Sequence, residues 1–419
     1  MGGWKLKRQT LLIVGLTLIL MASGCTPEKA VVMQKPSDSV LENYQADISL
    51  KHNQLGFDLY RALRMDGENL MISPVSISMA LAMAYNGANG STKDAMAKVM
   101  YLDGISEEQV NHNLLSLLYY LTSADEKVAL TVANSSWMRD GFPFSNDYID
   151  TIQEYFLAEA RSLDFSDSKT PDTINRWVKT QTRGLIPKIV EPPINPQTIL
   201  YLINAVYFKG EWTQTFDPKR TKDGNFTTDS GESITTSMMV QNGSYRYGDN
   251  DFVQIVRKPY GKEERIAMYM ILPKPNYKFE DIQNILDDET WKQWKDDMVI
   301  KSGILQMPKF QLEYKQSLVS ALTQLGMGIA FDPAAANFLR MAEPGLSDNI
   351  FISEVLHKTY IKVNETGTEA AAVTSVVMNL TSVPMYDFEM VLDQPFIYVI
   401  EDSVTGSILF MGHVVNPQS

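Results

Sequence analysis

Glu365-Thr366-Gly367-Thr368-Glu369-Ala370-Ala371-Ala372-Val373-Thr374-Ser375-Val376-Val377 is not built like a surface loop. Loops favour Pro, Asn and Gly, whose backbones turn readily. This stretch is small and β-branched, carries no lysine or arginine, and meets no proline until Pro384. Every residue from Thr368 to Val383 therefore keeps its N–H and can join a ladder on both sides as a central strand. Read at period two, Thr368, Ala370, Ala372, Thr374 and Val376 share one face, all small or β-branched, while Glu369 falls on the other, where water can solvate it. The segment has the composition of a β-strand that could pair on both sides.

Outward from it, the chain predicts an α+β protein. Strand patterns occupy Ile199 to Phe208, Ser233 to Val240, Arg265 to Leu272, Gly303 to Phe310, Phe351 to Val363, Phe396 to Glu401 and Ser407 to Val414, with a helix around Ser317 to Leu325 between them. The first half is mainly helical. Asn53 is placed to cap a helix carrying Leu55, Leu59, Tyr60 and Leu63. Ser73-Pro74 sets a hydroxyl before a proline at the first helical position, and Asn86-Gly87 ends that helix. Ser106 with Gln109 forms a capping box, and Thr170-Pro171 opens a further helix. Runs of helices followed by runs of strands exclude a regular βαβ alternation. No interdomain linker or internal repeat interrupts the pattern, so residues 48–419 are expected to fold as one domain.

Enzyme chemistry has little support. Only His52, His112, His357 and His413 are present, with no His-Glu-x-x-His pair, and the single cysteine excludes a thiolate metal cluster. No Gly-x-Ser-x-Gly elbow and no phosphate-binding Gly-x-x-x-x-Gly-Lys loop occurs. No metal or cofactor is expected. The formal charge of −13 is spread along the chain without a basic stripe, which argues against nucleic acid.

Four motifs in order resemble the serpin family. Asn69 to Ser78 is similar to its helix-opening signature, and Asn204-Ala205-Val206-Tyr207-Phe208-Lys209-Gly210-Glu211-Trp212 to its central-sheet signature. Glu365 to Ala372 is similar to its hinge, and Phe396 with Phe410 to Pro417 to its C-terminal strands. The resemblance implies a serpin fold: helices around three β-sheets, a metastable five-stranded central sheet, and an exposed reactive-centre loop at about 365–390. It places the hinge at Glu365, Gly367, Thr368, Glu369, Ala370, Ala371 and Ala372. Ser73, Ser76, Asn204 and His357 match the shutter, the polar cluster under the opening sheet, and Trp212 matches the breach, where the loop enters.

The implied activity is inhibition, not catalysis. A serine protease cuts the loop and forms an acyl-enzyme, and the freed strand inserts and carries the protease with it. Strand addition of this kind, of which serpin loop insertion is a standing example, gains main-chain hydrogen bonds. The family's usual spacing from the hinge glutamate implies a scissile bond at Thr381-Ser382. Counting back from Gln394-Pro395-Phe396 lands later, so Met378, Leu380, Met385 and Tyr386 stay open as the residue before the cut. No lysine or arginine follows Lys362, so a trypsin-like pocket built around an aspartate has nothing to hold. Elastase-, subtilisin- and chymotrypsin-like enzymes are the expected partners, with some cysteine proteases as cross-class targets and the inhibitor itself a monomer. A non-inhibitory binding or chaperone serpin is the main alternative, and a surface-tethered hydrolase the remote one.

The N-terminus speaks to location. Lys5, Lys7 and Arg8 precede an apolar run from Leu11 to Met21 that is short for a membrane span. Ala22-Ser23-Gly24-Cys25 then resembles the bacterial or archaeal lipobox, with Ala22 where most have Leu, and Cys25 as the lipidated residue. Residues 1–24 read as a lipoprotein-type signal peptide and 25–47, with Pro27 and Pro36, as a tether. The expected location is the cell surface, membrane-anchored through Cys25. Ordinary secretion with nearby cleavage is the other reading. With one cysteine, an internal disulfide is excluded and the core must supply stability. Asn379-Leu380-Thr381 forms a glycosylation sequon in the loop.

Overall fold

The computed structural model describes residues 38–345, 350–368 and 385–418. Its strands, in chain order, are β1 (Leu70–Ile72), β2 (Val128–Arg139), β3 (Glu159–Leu163), β4 (Leu200–Glu211), β5 (Lys222–Thr227), β6 (Ser233–Asp249), β7 (Val253–Pro259) and β8 (Ile266–Pro273). They continue as β9 (Val299–Pro308), β10 (Phe310–Ser317), β11 (Glu354–Asn364), β12 (Gly367–Thr368), β13 (Phe388–Val391), β14 (Phe396–Asp402) and β15 (Ser407–Val414). Helices dominate the first half: Lys51–Leu63, Pro74–Gly87, Gly90–Val99, Glu107–Thr122, Asn146–Phe156 and Thr170–Gln181.

Local chemistry explains most boundaries. Pro74 opens its helix because its missing N–H costs nothing there. Every residue of Pro74–Gly87 is buried, as an all-round apolar helix requires, and it lies between β15 and the strands β2 and β4. The Ser106–Gln109 capping box forms in both directions. Two cap expectations are corrected. Asn53 lies inside its helix, and its amide instead ties the chain ends together, donating to Gly406 O (2.8 Å) and accepting from Ile408 N (2.9 Å). The Ser73 hydroxyl caps nothing.

Other expected boundaries shift. The run Gly303 to Phe310 is two strands, β9 and β10, parted at Lys309 and paired in different sheets. Strand β10 reaches Ser317, so the α-helix expected around Ser317 to Leu325 shrinks to Val319–Leu322, with a wide turn after it through Thr323–Met327 in which Gly326 has φ +113°.

Among the described residues the strands join into two hydrogen-bonded networks, the larger of which combines two of the three expected sheets. The larger runs β1-β15-β14-β8-β7-β6-β9-β13, with β5 on β6. The long strand β6 pairs first with β5, then with β9, and at its end with β7, so two sheets that could have been separate are continuous through it. The other sheet runs β10-β11-β12-β4-β2-β3: five long or medium strands and the two-residue β12. One hydrophobic core spans most of the molecule. A second, smaller one around Trp137, Trp177, Ile186 and Ile203 lies under the helix Thr170–Gln181.

Candidate functional site

The second sheet contains a seam. Strands β4 and β11 run parallel and pair directly from Tyr201↔Glu354 to Tyr207↔Tyr360. Beyond that they part, and β12 fills the fork, antiparallel to both: Gly367 lies opposite Glu211 and Asn364, Thr368 opposite Gly210 and Val363. β11 and β12 thus form a hairpin whose turn is Glu365-Thr366. The Asn364 carboxamide oxygen accepts from Thr366 N (3.0 Å), Thr366 Oγ1 (2.8 Å) and Gly367 N (3.2 Å). Gly367 has φ +147°, and a Cβ there would meet Gly210 O at 2.0 Å, so only glycine fits.

The segment Trp212 to Phe216 holds this turn from the side. Trp212 donates its backbone N–H to Thr366 O (2.9 Å) and its indole N–H to Asn364 O (3.0 Å), and Phe216 N–H reaches Glu365 O (2.8 Å). The Trp212 ring stacks on Tyr260 at 4.2 Å. The Tyr260 hydroxyl bonds Thr368 Oγ1 at 2.9 Å, and Thr368 is fully buried, so its side chain points into the core. Glu365 meets Thr221 Oγ1 (3.0 Å) and Lys309 Nζ (3.1 Å). Burial pushes its pKa up, but its own backbone N–H, Lys309 and Thr221 outweigh that and hold it below the usual value.

Lower in the seam, three strands and a helix meet at a polar cluster. Asn134, Asn204 and His357 face one another across β2, β4 and β11 in register. The Asn204 amide donates to Asn134 Oδ1 (2.7 Å) and Ser76 O (3.1 Å), and Asn204 Oδ1 meets His357 Nδ1 (2.8 Å). His357 Nε2 accepts from the Ser73 backbone N–H (3.2 Å), so the proton sits on Nδ1. Burial lowers the His357 pKa to about 3, and the ring is neutral. The hydroxyls of Ser73, Ser76 and Ser136 and the Asn134 amide nitrogen find no hydrogen-bond partner among the described residues. Unpaired buried polar groups weaken a core by roughly 1–3 kcal/mol each, and here several line one seam.

Comparison with known proteins places the whole arrangement. The sequence profile of the family described as "Serpin (serine protease inhibitor)" matches residues 50–417. The chain is a serpin. An uncharacterized serpin-like protein of Methanosarcina mazei is 33% identical to this serpin over 436 aligned positions, covering 99% of each chain. Human neuroserpin is 30% identical over 96% of this chain and 95% of its own. The crystal structure of tengpin, a thermophilic serpin in its native state, superposes with a TM-score of 0.79 at 33% identity, over 93% of this chain and 97% of that one. Serpins are in general inhibitors of serine proteases.

The serpin site residues read from sequence fall into two groups. Ser73, Ser76, Asn204 and His357 converge beneath the seam, and Trp212 stands beside Gly367 and Thr368 at the fork. Glu369, Ala370, Ala371, Ala372, Met378, Leu380, Thr381 and Ser382 lie outside the described residues, as does Cys25. Of the remaining loop candidates, Met385 is 95% exposed, while the Tyr386 hydroxyl accepts from Asn242 Nδ2 and is half-buried. Sequence reasoning missed Asn134 and Lys258. Asn134 sits in β2, a strand that was not foreseen, and could have been found by asking which polar residue faces Asn204. Lys258 gave no signal, because a lysine near a strand end reads as exposed, and here it is only 2% exposed.

Proposed function

We propose that this serpin inhibits serine proteases as a suicide substrate, through loop cleavage, acyl-enzyme trapping and insertion of the loop as a strand between β4 and β11. The observation that carries the reading is the fork: two residues of the loop already sit in it as β12, antiparallel to both neighbours. Continuing those two ladders in register sets Ala370 between Phe208 and Ile361, and Thr374 between Asn204 and His357. The Thr368 side chain points inward, so Ala370, Ala372, Thr374 and Val376 succeed it at period two and meet the core with small or β-branched groups. Insertion exchanges one parallel ladder for two antiparallel ones, the better-paired arrangement.

The seam supports such an exchange. A strand from Thr368 to Leu380 spans about 43 Å at roughly 3.3 Å per residue. Each new hydrogen bond contributes about 1 kcal/mol net, and burial of Val376 and its neighbours adds to it, so the total is of order tens of kcal/mol. A Thr374 hydroxyl at the Asn204–His357 pair would bring a donor and acceptor to a place where four polar atoms lack partners. The acylated protease is displaced with the strand, and a shift of about 1 Å in its catalytic groups slows deacylation about a hundredfold. Inhibition is a race that insertion must win.

The target reading comes from the loop sequence: small, aliphatic or large apolar residues for an elastase-, subtilisin- or chymotrypsin-like enzyme, with the cut at Thr381-Ser382 and Met378, Leu380, Met385 and Tyr386 as alternatives before the bond. The lipobox-like Cys25 supports attachment to a membrane surface. Incubation with a panel of such proteases tests the proposal. An SDS-resistant complex, a released C-terminal peptide whose mass gives the bond, and a large rise in melting temperature after nicking are expected. Cleavage without complex or heat resistance would reject trapping and leave a binding serpin.

A further inference from the structure

Lys258 is buried at the end of β7 with no ion-pair partner among the described residues. Its ammonium donates to Gln214 O (3.0 Å) and Gln241 Oε1 (2.5 Å) and lies over two aromatic faces, Phe216 at 4.2 Å and Trp212 at 5.1 Å. A leucine or methionine would fill the space without desolvating a charge. Burial alone pulls its pKa down to about 7.

Lys258 touches the segment that grips the hinge. Trp212 and Phe216 are the residues whose N–H groups hold the carbonyls of Thr366, Asn364 and Glu365, and Gln214 lies between them. Gln241 completes the hold from β6, donating to Thr215 O (2.7 Å) and Gln214 O (3.3 Å) while its own oxygen accepts from Lys258 and Tyr245. A cation seated on the rings of both gripping residues fixes the distance between them. The hairpin turn Glu365-Thr366, from which the inserting strand grows, is therefore held at one remove by Lys258.

We propose that Lys258 is a positioning residue for strand insertion, its ammonium locking Trp212 to Phe216 so that the hinge turn stays in the fork. The inference rests on the trapping reading and assigns its speed to a residue that never meets the protease. Without the lock the turn leaves the fork more often, insertion slows, and more molecules are cut without trapping.

The test compares Lys258→Met, Lys258→Arg and Gln241→Leu with the parent. At pH 6, where Lys258 carries its charge, insertion after nicking by subtilisin is monitored by tryptophan emission, alongside the moles of serpin consumed per mole of subtilisin trapped. Lys258→Met should slow insertion about tenfold, the equivalent of one charge-assisted contact, and raise consumption. Its uncleaved form should melt no lower than the parent, because Gln214 O keeps its Gln241 donor and a buried charge is gone. Gln241→Leu should move the rate the same way, and Lys258→Arg should stay near the parent. Equal rates in the parent and either slowed variant overturn the assignment, as does an arginine variant as slow as the methionine one. A parent that gains no heat resistance on nicking rejects the trapping reading itself, and the assignment with it.

Discussion

β14 and β15 are antiparallel, share most of their length in register, and bury every residue, with β8 paired antiparallel on the far side of β14. β4 and β11 are nearly as buried, yet they meet in a parallel ladder, with Asn204 and His357 facing across it and a glycine-threonine wedge in its upper end. The first pair is closed: hydrophobic side chains fill most of its faces, the buried Glu401, Asp402 and His413 are bonded to Lys295, Arg265 and Gln283, and the two strands face each other in the stronger pattern, with the Ser407 hydroxyl left unpaired at one end among the described residues. The second also has its edges used, but in the weaker pattern and over unpaired hydroxyls. On the proposed mechanism, burial alone therefore does not tell a permanent seam from one that opens. The direction of the strands and the polarity of the groups across them do.

Four changes put that contrast at risk. The largest effect is expected from Thr368→Arg, which forces a long charged side chain against Tyr260 at the first rung. Loop cleavage should persist while SDS-resistant complex disappears, so a surviving complex in gel electrophoresis would remove the seam's role. Next, Ile397→Ala in β14 should destabilise the native and the loop-inserted forms alike, by about 2–5 kcal/mol in denaturant titrations, and leave the trapping ratio unchanged. A shift in that ratio would mean that the closed sheet takes part in opening.

The third change is in acid. His357 is held to about 3 by burial, against about 6.5 in the unfolded chain. Between those values the unfolded chain binds a proton that the folded one does not, so this contribution is full above about pH 6.5 and is lost as pH falls towards 3. His52 (about 3) and His413 (about 4) act in the same direction. His357→Gln should reduce the proton uptake on unfolding near pH 5 by about one, read from the pH slope of stability; an unchanged slope would mean the ring titrates normally. The smallest effect is that of Glu365→Gln. Lys309 is 41% exposed, so losing this ion pair should lower native stability by less than about 1 kcal/mol. A larger loss in a double-mutant cycle would make the pair a principal anchor of the hinge.

Much of this was legible in the residues. Pro74, Asn86-Gly87 and Ser106 with Gln109 announced their helix ends through backbone chemistry that needs no tertiary partner. The composition of the stretch that Gly367 opens predicts a strand, and its two described residues, Gly367 and Thr368, form one. The features that were missed depend on distant partners. Asn53 looks like a cap but bonds residues near the C-terminus. β2 mixes polar and apolar residues, because its Asn134 and Ser135 are buried by the sheet, and so lacks a clean alternation. The helices Phe279–Ile285 and Asp288–Asp296 are short and polar, anchored by a few buried side chains such as Ile282, Trp291 and Trp294. Lys258 is invisible to any rule that expects lysine at the surface.

The hairpin turn at Glu365-Thr366 has a kinetic meaning. Bringing two distant chain segments together is the slow, entropy-limited step in most strand pairings. Here that closure is already made in the described fold, so on the proposed mechanism only elongation would be left, rung by rung, as a zipper runs once its slider is engaged. Lengthening the loop far from Gly367 should leave the early rungs unaffected, which would let the bait vary while the trap keeps its pace.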